Sequence, residues 1–239
     1  MATMKRFWDG VTIAPGEEGF AILLDGRPVR LPGGTPLAVP GLPLAETIAA
    51  EWRDVAGGAK GGTLSWDQLP LTRIAGTAQE RIAPDPGPVV DGIARYGESD
   101  LLCYRAEHPM GLVLLQAKSW QPWLDWAAQR FGARLTVIEG VTHVAQPETA
   151  LRALHAAVAA YDPHTLAALG VAVPALGSLV LGLALAEGAL DAATAHGLAT
   201  LDEAWQAEQW GEDAEEVIRR RALGSDVEAV GRFMAVSRI

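Results

Sequence analysis

The chain has 239 residues, of which 49% are hydrophobic and 20% are charged, and its net charge is −10 at pH 7. This balance excludes global disorder, and the length is sufficient to bury a core without metals or cross-links. The single cysteine, Cys103, excludes an internal disulfide and a cysteine-based zinc site.

The first third of the chain is predicted to form extended segments joined by turns. Residues 19–24 and 27–31 flank Asp25–Gly26. This pair is typical of a tight hairpin, because glycine accepts the positive φ that such a turn requires. The pattern predicts a small antiparallel sheet in this part of the chain.

Helices are predicted to follow the sheet. Leu44, Ile48 and Trp52 recur at i, i+4 and i+8, which is the spacing of one helix face. Another helix is predicted from Pro70 to about residue 82. We therefore expect an α+β fold, with a small N-terminal antiparallel sheet and helices in residues 1–97 and an all-helical, orthogonal C-terminal bundle in residues 98–239.

The second half of the chain is predicted to be almost entirely helical, with helices over 109–131, 147–160, 163–173, 177–187, 191–210 and 212–223. Residues 163–186 carry no formal charge and would be long enough to span a membrane. Glycines and Pro174 interrupt this run, and no basic cluster flanks it. The pattern predicts two short buried helices and no membrane span, with Ser178 near the start of the second helix.

The negative charge is confined to one C-terminal block. Residues 153–218 contain no Lys or Arg, and their ten acidic residues equal the whole net charge. Such a block disfavours nucleic acid and anionic membranes as partners. Two interpretations stay open: a solvated helical exterior, or a docking surface that attracts a basic partner.

Motifs for catalysis and for metal or cofactor binding are not evident in the sequence. The five histidines lack ligand spacing: His108, His143, His155, His164 and His196. The sequence has no nucleophile elbow, P-loop or dinucleotide fingerprint. We therefore predict no enzymatic activity, no metal and no cofactor, although the many carboxylates leave a hydrolase as an alternative.

The segment after residue 190 carries two helical stripes. Leu198, Leu201 and Trp205 are expected to face a core. Trp210 lies on a neighbouring stripe with Glu203 and Gln206, and it is expected either to anchor a partner or to pack under the next helix. The first turns of that next helix are predicted to contain four acids, Glu212, Asp213, Glu215 and Glu216, and its later turns arginines 219–221, which suits the helix macrodipole.

Several segments, distributed in order over almost the whole chain, together carry a resemblance to a known family: Lys5–Trp8, Gly19–Leu31, Pro70–Ala75, Glu98–Arg105, Leu176–Ser178, and Leu201–Gln206 with Trp210–Asp213. They resemble the ATP12 family of ATP synthase F1 assembly chaperones. The resemblance implies a non-enzymatic protein that binds the F1 α subunit before that subunit meets β, and that shields a surface which would otherwise aggregate.

The resemblance also implies that an acidic position in the C-terminal domain is needed for function. The segment 202–213 matches that region, without fixing which acid corresponds. The expected partner-binding residues are Asp202, Glu203, Gln206, Trp210, Glu212 and Asp213. The N-terminus has no apolar signal run or presequence, so we expect a bacterial cytoplasmic protein that is monomeric when free. An adaptor for another basic protein is the main alternative function.

Overall fold

The computed structural model describes residues 3–140, 142 and 144–238. Its strands are β1 (Thr3–Lys5), β2 (Val11–Gly16), β3 (Gly19–Leu24), β4 (Arg27–Pro28), β5 (Ala38–Val39), β6 (Thr63–Ser65), β7 (Tyr104–Arg105) and β8 (Ile138–Glu139). Its helices are α1 (Leu42–Asp54), α2 (Pro70–Thr77), α3 (Gly87–Ala94), α4 (Met110–Phe131), α5 (Glu148–Ala159), α6 (Pro163–Leu176), α7 (Leu179–Ala186), α8 (Ala192–Ala199), α9 (Leu201–Trp210) and α10 (Ala214–Ser237). The predicted α+β class is confirmed, with antiparallel strands at the N-terminal end and helices dominating thereafter.

The chain divides into two compact units. The first consists of Met1–Pro86, Pro163–Ala168 and Arg232–Ile239, and the second of Gly87–Asp162 and Leu169–Gly231. The first unit therefore draws on three separate stretches of sequence. The single boundary expected between residues 97 and 98 stays a prediction.

The main sheet of the first unit is antiparallel. Strand β3 pairs with β2, β4 and β5. Asp25 and Gly26 connect β3 to β4 with φ values of 49° and 79°. Two successive positive φ angles are what a tight two-residue hairpin turn requires, so the predicted hairpin is confirmed.

Helix α1 buries the predicted stripe. Leu44 and Ile48 are 0% exposed and Trp52 is 2% exposed. The indole nitrogen of Trp52 donates to Thr72 Oγ1 at 2.9 Å. The Thr72 hydroxyl in turn donates to Glu51 Oε2 at 2.6 Å, so a continuous hydrogen-bonded chain links α1 to the start of α2.

Arg6 is a buried cation at the end of α1. Its Nη1 donates to the carbonyl oxygens of three residues there, Trp52 (3.2 Å), Arg53 (2.7 Å) and Val55 (3.2 Å). The guanidinium also lies over the Trp8 ring, 5.1 Å from its centroid. The last carbonyls of a helix lack intrahelical partners and carry partial negative charge. Arg6 therefore provides hydrogen-bond donors for the carbonyl oxygens at the end of α1, which gives the Lys5–Trp8 segment a structural role.

Asp100 is a fully buried carboxylate in the second unit. Its Oδ1 accepts hydrogen bonds from Ser178 Oγ (2.8 Å) and Leu102 N (3.0 Å), and its Oδ2 accepts one from Val180 N (2.9 Å). The Ser178 hydroxyl caps α7 by accepting from Leu181 N at 3.1 Å. Burial raises the pKa of Asp100, and these hydrogen bonds oppose that shift. Asp100 thus fixes the start of α7, all of whose residues are buried.

The uncharged run forms two helices, as predicted. Helix α6 continues through Pro174 to Leu176, and Gly177 then takes a φ of 62° before Ser178 begins the next helix. Within the described part of the chain, no helix has both the length and the apolar character needed to cross a bilayer.

Two helix predictions are wrong in their limits. The helix predicted over 191–210 breaks at Thr200, which has φ −106° and ψ 19° and separates α8 from α9. The Thr200 hydroxyl donates to the His196 carbonyl at 2.9 Å, a back-bond that competes with helix continuation. The helix predicted over 212–223 runs instead from Ala214 to Ser237. Arginines 219–221 therefore lie in its first half, and the macrodipole explanation for them is wrong.

Candidate functional site

The six predicted partner-binding residues lie in the second unit, on α9 and on the link that precedes α10. Helix α9 carries Asp202, Glu203, Gln206 and Trp210. Gly211 ends this helix with a φ of 91°, a conformation that favours glycine. Glu212 and Asp213 follow in the link. We call these six residues and the side chains in contact with them the α9 site.

Asp202 is half-buried at the start of α9. Gln116, a buried residue of α4, donates from Nε2 to Asp202 Oδ1 at 2.8 Å. The Gln116 oxygen accepts from Ala106 N at 2.8 Å, which fixes the orientation of the amide. Burial raises the pKa of the Asp202 carboxyl, and the negative charge of Glu203 adds to that effect. The Gln116 hydrogen bond and the Arg105 charge oppose the shift without reversing it.

Arg105 is a buried cation behind Asp202. It is 7% exposed, and its Nε donates to the Leu102 carbonyl at 2.8 Å. The guanidinium stacks on Trp120, 5.4 Å from the ring centroid. Within the described residues, its Nη2 has no hydrogen-bond partner. Burial lowers the pKa of Arg105 and the Asp202 charge raises it, so the two charges stabilise each other.

Arginines of α10 pair with two of the predicted acids. Arg219 Nη2 lies 2.6 Å from Glu203 Oε1. Arg220 Nη2 lies 3.3 Å from Glu212 Oε1. Partly exposed pairs of this kind contribute at most about 1 kcal/mol to stability, so a partner's cation can compete for either carboxylate. These acids are therefore not the free charges that the sequence alone suggests.

Asp213 has a structural role in addition to its charge. Its Oδ1 accepts hydrogen bonds from the backbone nitrogens of Glu215 (2.7 Å) and Glu216 (3.4 Å). Nitrogens in the first turn of a helix lack intrahelical partners, so Asp213 caps the start of α10. Gln206, by contrast, is exposed on α9.

Trp210 is the most exposed large hydrophobic side chain of the α9 site, at 74%. Its ring meets Trp205 edge-on, with centroids 5.8 Å apart and an interplanar angle of 80°. Ile218 on α10 is likewise 67% exposed. Of the two interpretations open for Trp210, the geometry excludes packing under the next helix.

Sequence reasoning missed an apolar group at the start of α4. Met110, Leu114 and Leu115 are 64%, 63% and 37% exposed. They lie in the same two turns as Gln116, which reaches Asp202. Their spacing along the helix was visible in the sequence, but only a structure shows that Leu112 and Gln116 take the buried face instead.

A metal centre is not formed by the residues that the structure describes. Among them, no group of three or more His, Cys, Asp or Glu side chains could hold an ion. His143 lies outside the described residues. Cys103 is buried, and burial raises the pKa of its thiol to about 12, so it is a poor nucleophile at neutral pH.

Comparison with known proteins gives one family and several solved structures. The family described as ATP12 chaperone protein matches residues 5–128, about half of the chain. That match ends before α9, so it covers the first unit's main segment and most of α4 but none of the six predicted partner-binding residues.

The solved structures match nearly the whole chain. Atp12 from Paracoccus denitrificans is 42% identical, with a TM-score of 0.90 and 98% of each chain covered. An aspartate-to-lysine variant of that protein gives 41% identity and the same TM-score. Atu1473 from Agrobacterium tumefaciens, described as a candidate chaperone, is 43% identical with a TM-score of 0.88, covering 98% of this chain and 86% of the other.

Proposed function

Because the chain belongs to the ATP12 chaperone family, we propose that it is an assembly chaperone for the F1 sector of ATP synthase, with the unassembled α subunit as its client. Its likeness to Atp12 and to a candidate chaperone extends over 98% of its length. This relationship favours a chaperone over the adaptor and hydrolase alternatives. A bacterial cytoplasmic location and a monomeric free state belong to the same proposal.

The observation that carries the proposed binding face is the exposure of Trp210. A tryptophan is usually well buried in a monomer, whereas at protein interfaces it is a frequent energetic anchor. Here the ring is 74% exposed on a helix whose first turn carries Asp202 and Glu203. The proposed face therefore combines one large apolar side chain at the end of α9 with the carboxylates of Asp202 and Glu203 in its first turn and of Glu212 and Asp213 in the link that follows.

The carboxylates would orient the client by attracting its basic side chains. Asp202 is held by Gln116 and keeps its position before a partner arrives. Glu203 and Glu212 are held by arginines of α10, and a client cation would have to displace them. Surface charges of this type contribute to encounter rate and specificity more than to affinity. Trp210, with Ile218, would then cover apolar client surface and keep it from aggregating.

The proposal is tested by the aggregation of isolated F1 α subunit, followed as turbidity with and without an equimolar amount of this protein. Suppression is expected for the wild-type chain and should be weaker for Trp210→Ala. Leu42→Ala is a matched control, because Leu42 is an exposed apolar residue of α1, outside the α9 site. Equal turbidity with and without the protein would refute the chaperone role. Equal suppression by both variants would instead remove Trp210 from the binding face.

A further inference from the structure

The first unit carries two adjoining cavities that the proposed α9 site does not use. One has a volume of about 440 Å³ and the other about 350 Å³. Trp66 lines both, and consecutive residues of the segment 27–32 follow from one cavity into the other. Volumes of this size lie within the range of ligand pockets. We call the combined feature the Trp66 groove.

Aromatic rings give the groove a rigid apolar floor. Trp66 packs edge-on against the buried Trp52, with centroids 6.4 Å apart. Phe7 is 56% exposed at one end of the groove and contacts Trp8 edge-on at 5.2 Å. Because these rings rest on buried aromatic neighbours, they can receive an apolar side chain with little loss of conformational freedom.

Arginines line the groove on both sides of Trp66: Arg27 and Arg30 in the larger cavity, Arg73 and Arg81 in the smaller. Within the described residues, Arg27, Arg30 and Arg81 form no ion pair. Arg30 donates only to the Gly34 carbonyl, at 2.7 Å.

The opposing acids are few and already engaged. Glu80 lines the smaller cavity, and its carboxylate accepts hydrogen bonds from Gly33 N (3.1 Å) and from the Thr35 hydroxyl. Asp67 lies 3.4 Å from Arg73. The groove therefore has an excess of positive charge in a chain whose net charge is −10.

We propose that the Trp66 groove binds an extended acidic segment of a partner polypeptide. Guanidinium groups recognise carboxylates through paired, charge-assisted hydrogen bonds, and no carboxylate of the described residues pairs with Arg27 or Arg30. An apolar side chain of the same segment would rest between Phe7 and Trp66. A nucleic acid is disfavoured, because a long polyanion extends beyond the groove and is repelled by the net negative charge of the chain, whereas a short acidic segment contacts only the arginines of the groove. The groove is opposite in charge to the α9 site, and the ligand proposed for it does not depend on which client the α9 site binds.

Binding of defined peptides to the full-length protein tests the proposal. The probe is a fluorescein-labelled 12-residue peptide in which Glu alternates with Leu, and its uncharged counterpart has Gln in place of Glu. Fluorescence anisotropy should show saturable binding of the acidic probe alone, weakened by added salt. The double variant Arg27→Glu with Arg30→Glu should reduce its affinity at least tenfold. Phe7→Ala should also weaken binding, and circular dichroism checks that each variant is folded.

A charge-matched control distinguishes binding in the groove from the effect of the overall charge of the protein. Arg53→Glu with Arg95→Glu changes the net charge by the same amount at exposed residues that line neither cavity. This control should bind the acidic probe within about twofold of wild type. An equal loss in the control and in the groove variant, or equal binding of the two peptides, would overturn the proposal. So would tighter binding of a 12-nucleotide oligothymidylate than of the acidic peptide.

Discussion

Replacing Asp100 with alanine should be among the most destabilising single changes in the second unit. Three donors, Ser178 Oγ, Leu102 N and Val180 N, would lose their acceptor in a site closed to water. Each unsatisfied buried donor costs about 1–3 kcal/mol, and removing a desolvated charge offsets part of the total. We therefore expect a loss of about 2–4 kcal/mol in the free energy of unfolding.

Urea unfolding followed by circular dichroism measures this loss as a shift of the transition midpoint. Asp125→Ala is the control, because Asp125 is an exposed aspartate of α4 whose Oδ1 accepts a hydrogen bond from Gln121 Nε2 at 2.9 Å. It should leave the midpoint almost unchanged. A midpoint for Asp100→Ala that coincides with that of the control would refute the view that this carboxylate fixes the start of α7.

The pH dependence of Asp100→Asn gives an independent check. Burial raises the pKa of Asp100 above its ordinary value of 3.8 in the folded chain. A carboxyl whose pKa rises on folding binds its proton more tightly in the native state, so it adds stability as the pH falls through the raised pKa. The advantage of the wild type over Asp100→Asn should therefore be larger at about pH 4.5 than at about pH 7. An advantage that grows with rising pH would contradict the assignment.

Three further outcomes are expected. Arg6→Ala should lower the free energy of unfolding by about 3 kcal/mol, because it removes the donor to three carbonyl oxygens at the end of α1. Lys5→Ala is the control: Lys5 is exposed on β1, and its replacement should have little effect on urea unfolding. Trp210→Ala should weaken binding of the α subunit about tenfold or more by isothermal titration calorimetry, with an unchanged melting temperature; unchanged affinity would exclude it as an anchor. Burial raises the pKa of Asp202, so as the pH is lowered the wild type should begin to lose α-subunit binding at a pH above the ordinary carboxyl range. Asp202→Asn should flatten this pH dependence. If both proteins give the same pH profile, another group titrates.

Local patterns were sufficient to predict much of the fold. The stripe of Leu44, Ile48 and Trp52 predicts α1 because helical spacing alone decides which side faces the core. Asp25–Gly26 predicts its turn because few other pairs adopt two positive φ angles. In both cases the determining interactions are close in sequence.

The α9 site depended on contacts that sequence cannot show. Glu203 and Arg219 are 16 residues apart in sequence, and they form a hydrogen bond only because the fold brings α9 and α10 together. The break at Thr200, where the side chain hydrogen-bonds to the His196 carbonyl, falls within a segment whose hydrophobic spacing is continuous. The sequence also could not say which tryptophans are buried: Trp120 is 1% exposed and Trp210 is 74% exposed.

The composition of the first unit has a consequence for how the protein is made. Its strands and α1 are translated early, but Pro163–Ala168 and Arg232–Ile239 also belong to it. The ribosome must therefore release the last residues of the chain before this unit can be completed. The main sheet lies within residues 11–39 and can pair early, but a fragment ending at residue 97 would lack two of the three stretches that make up the first unit.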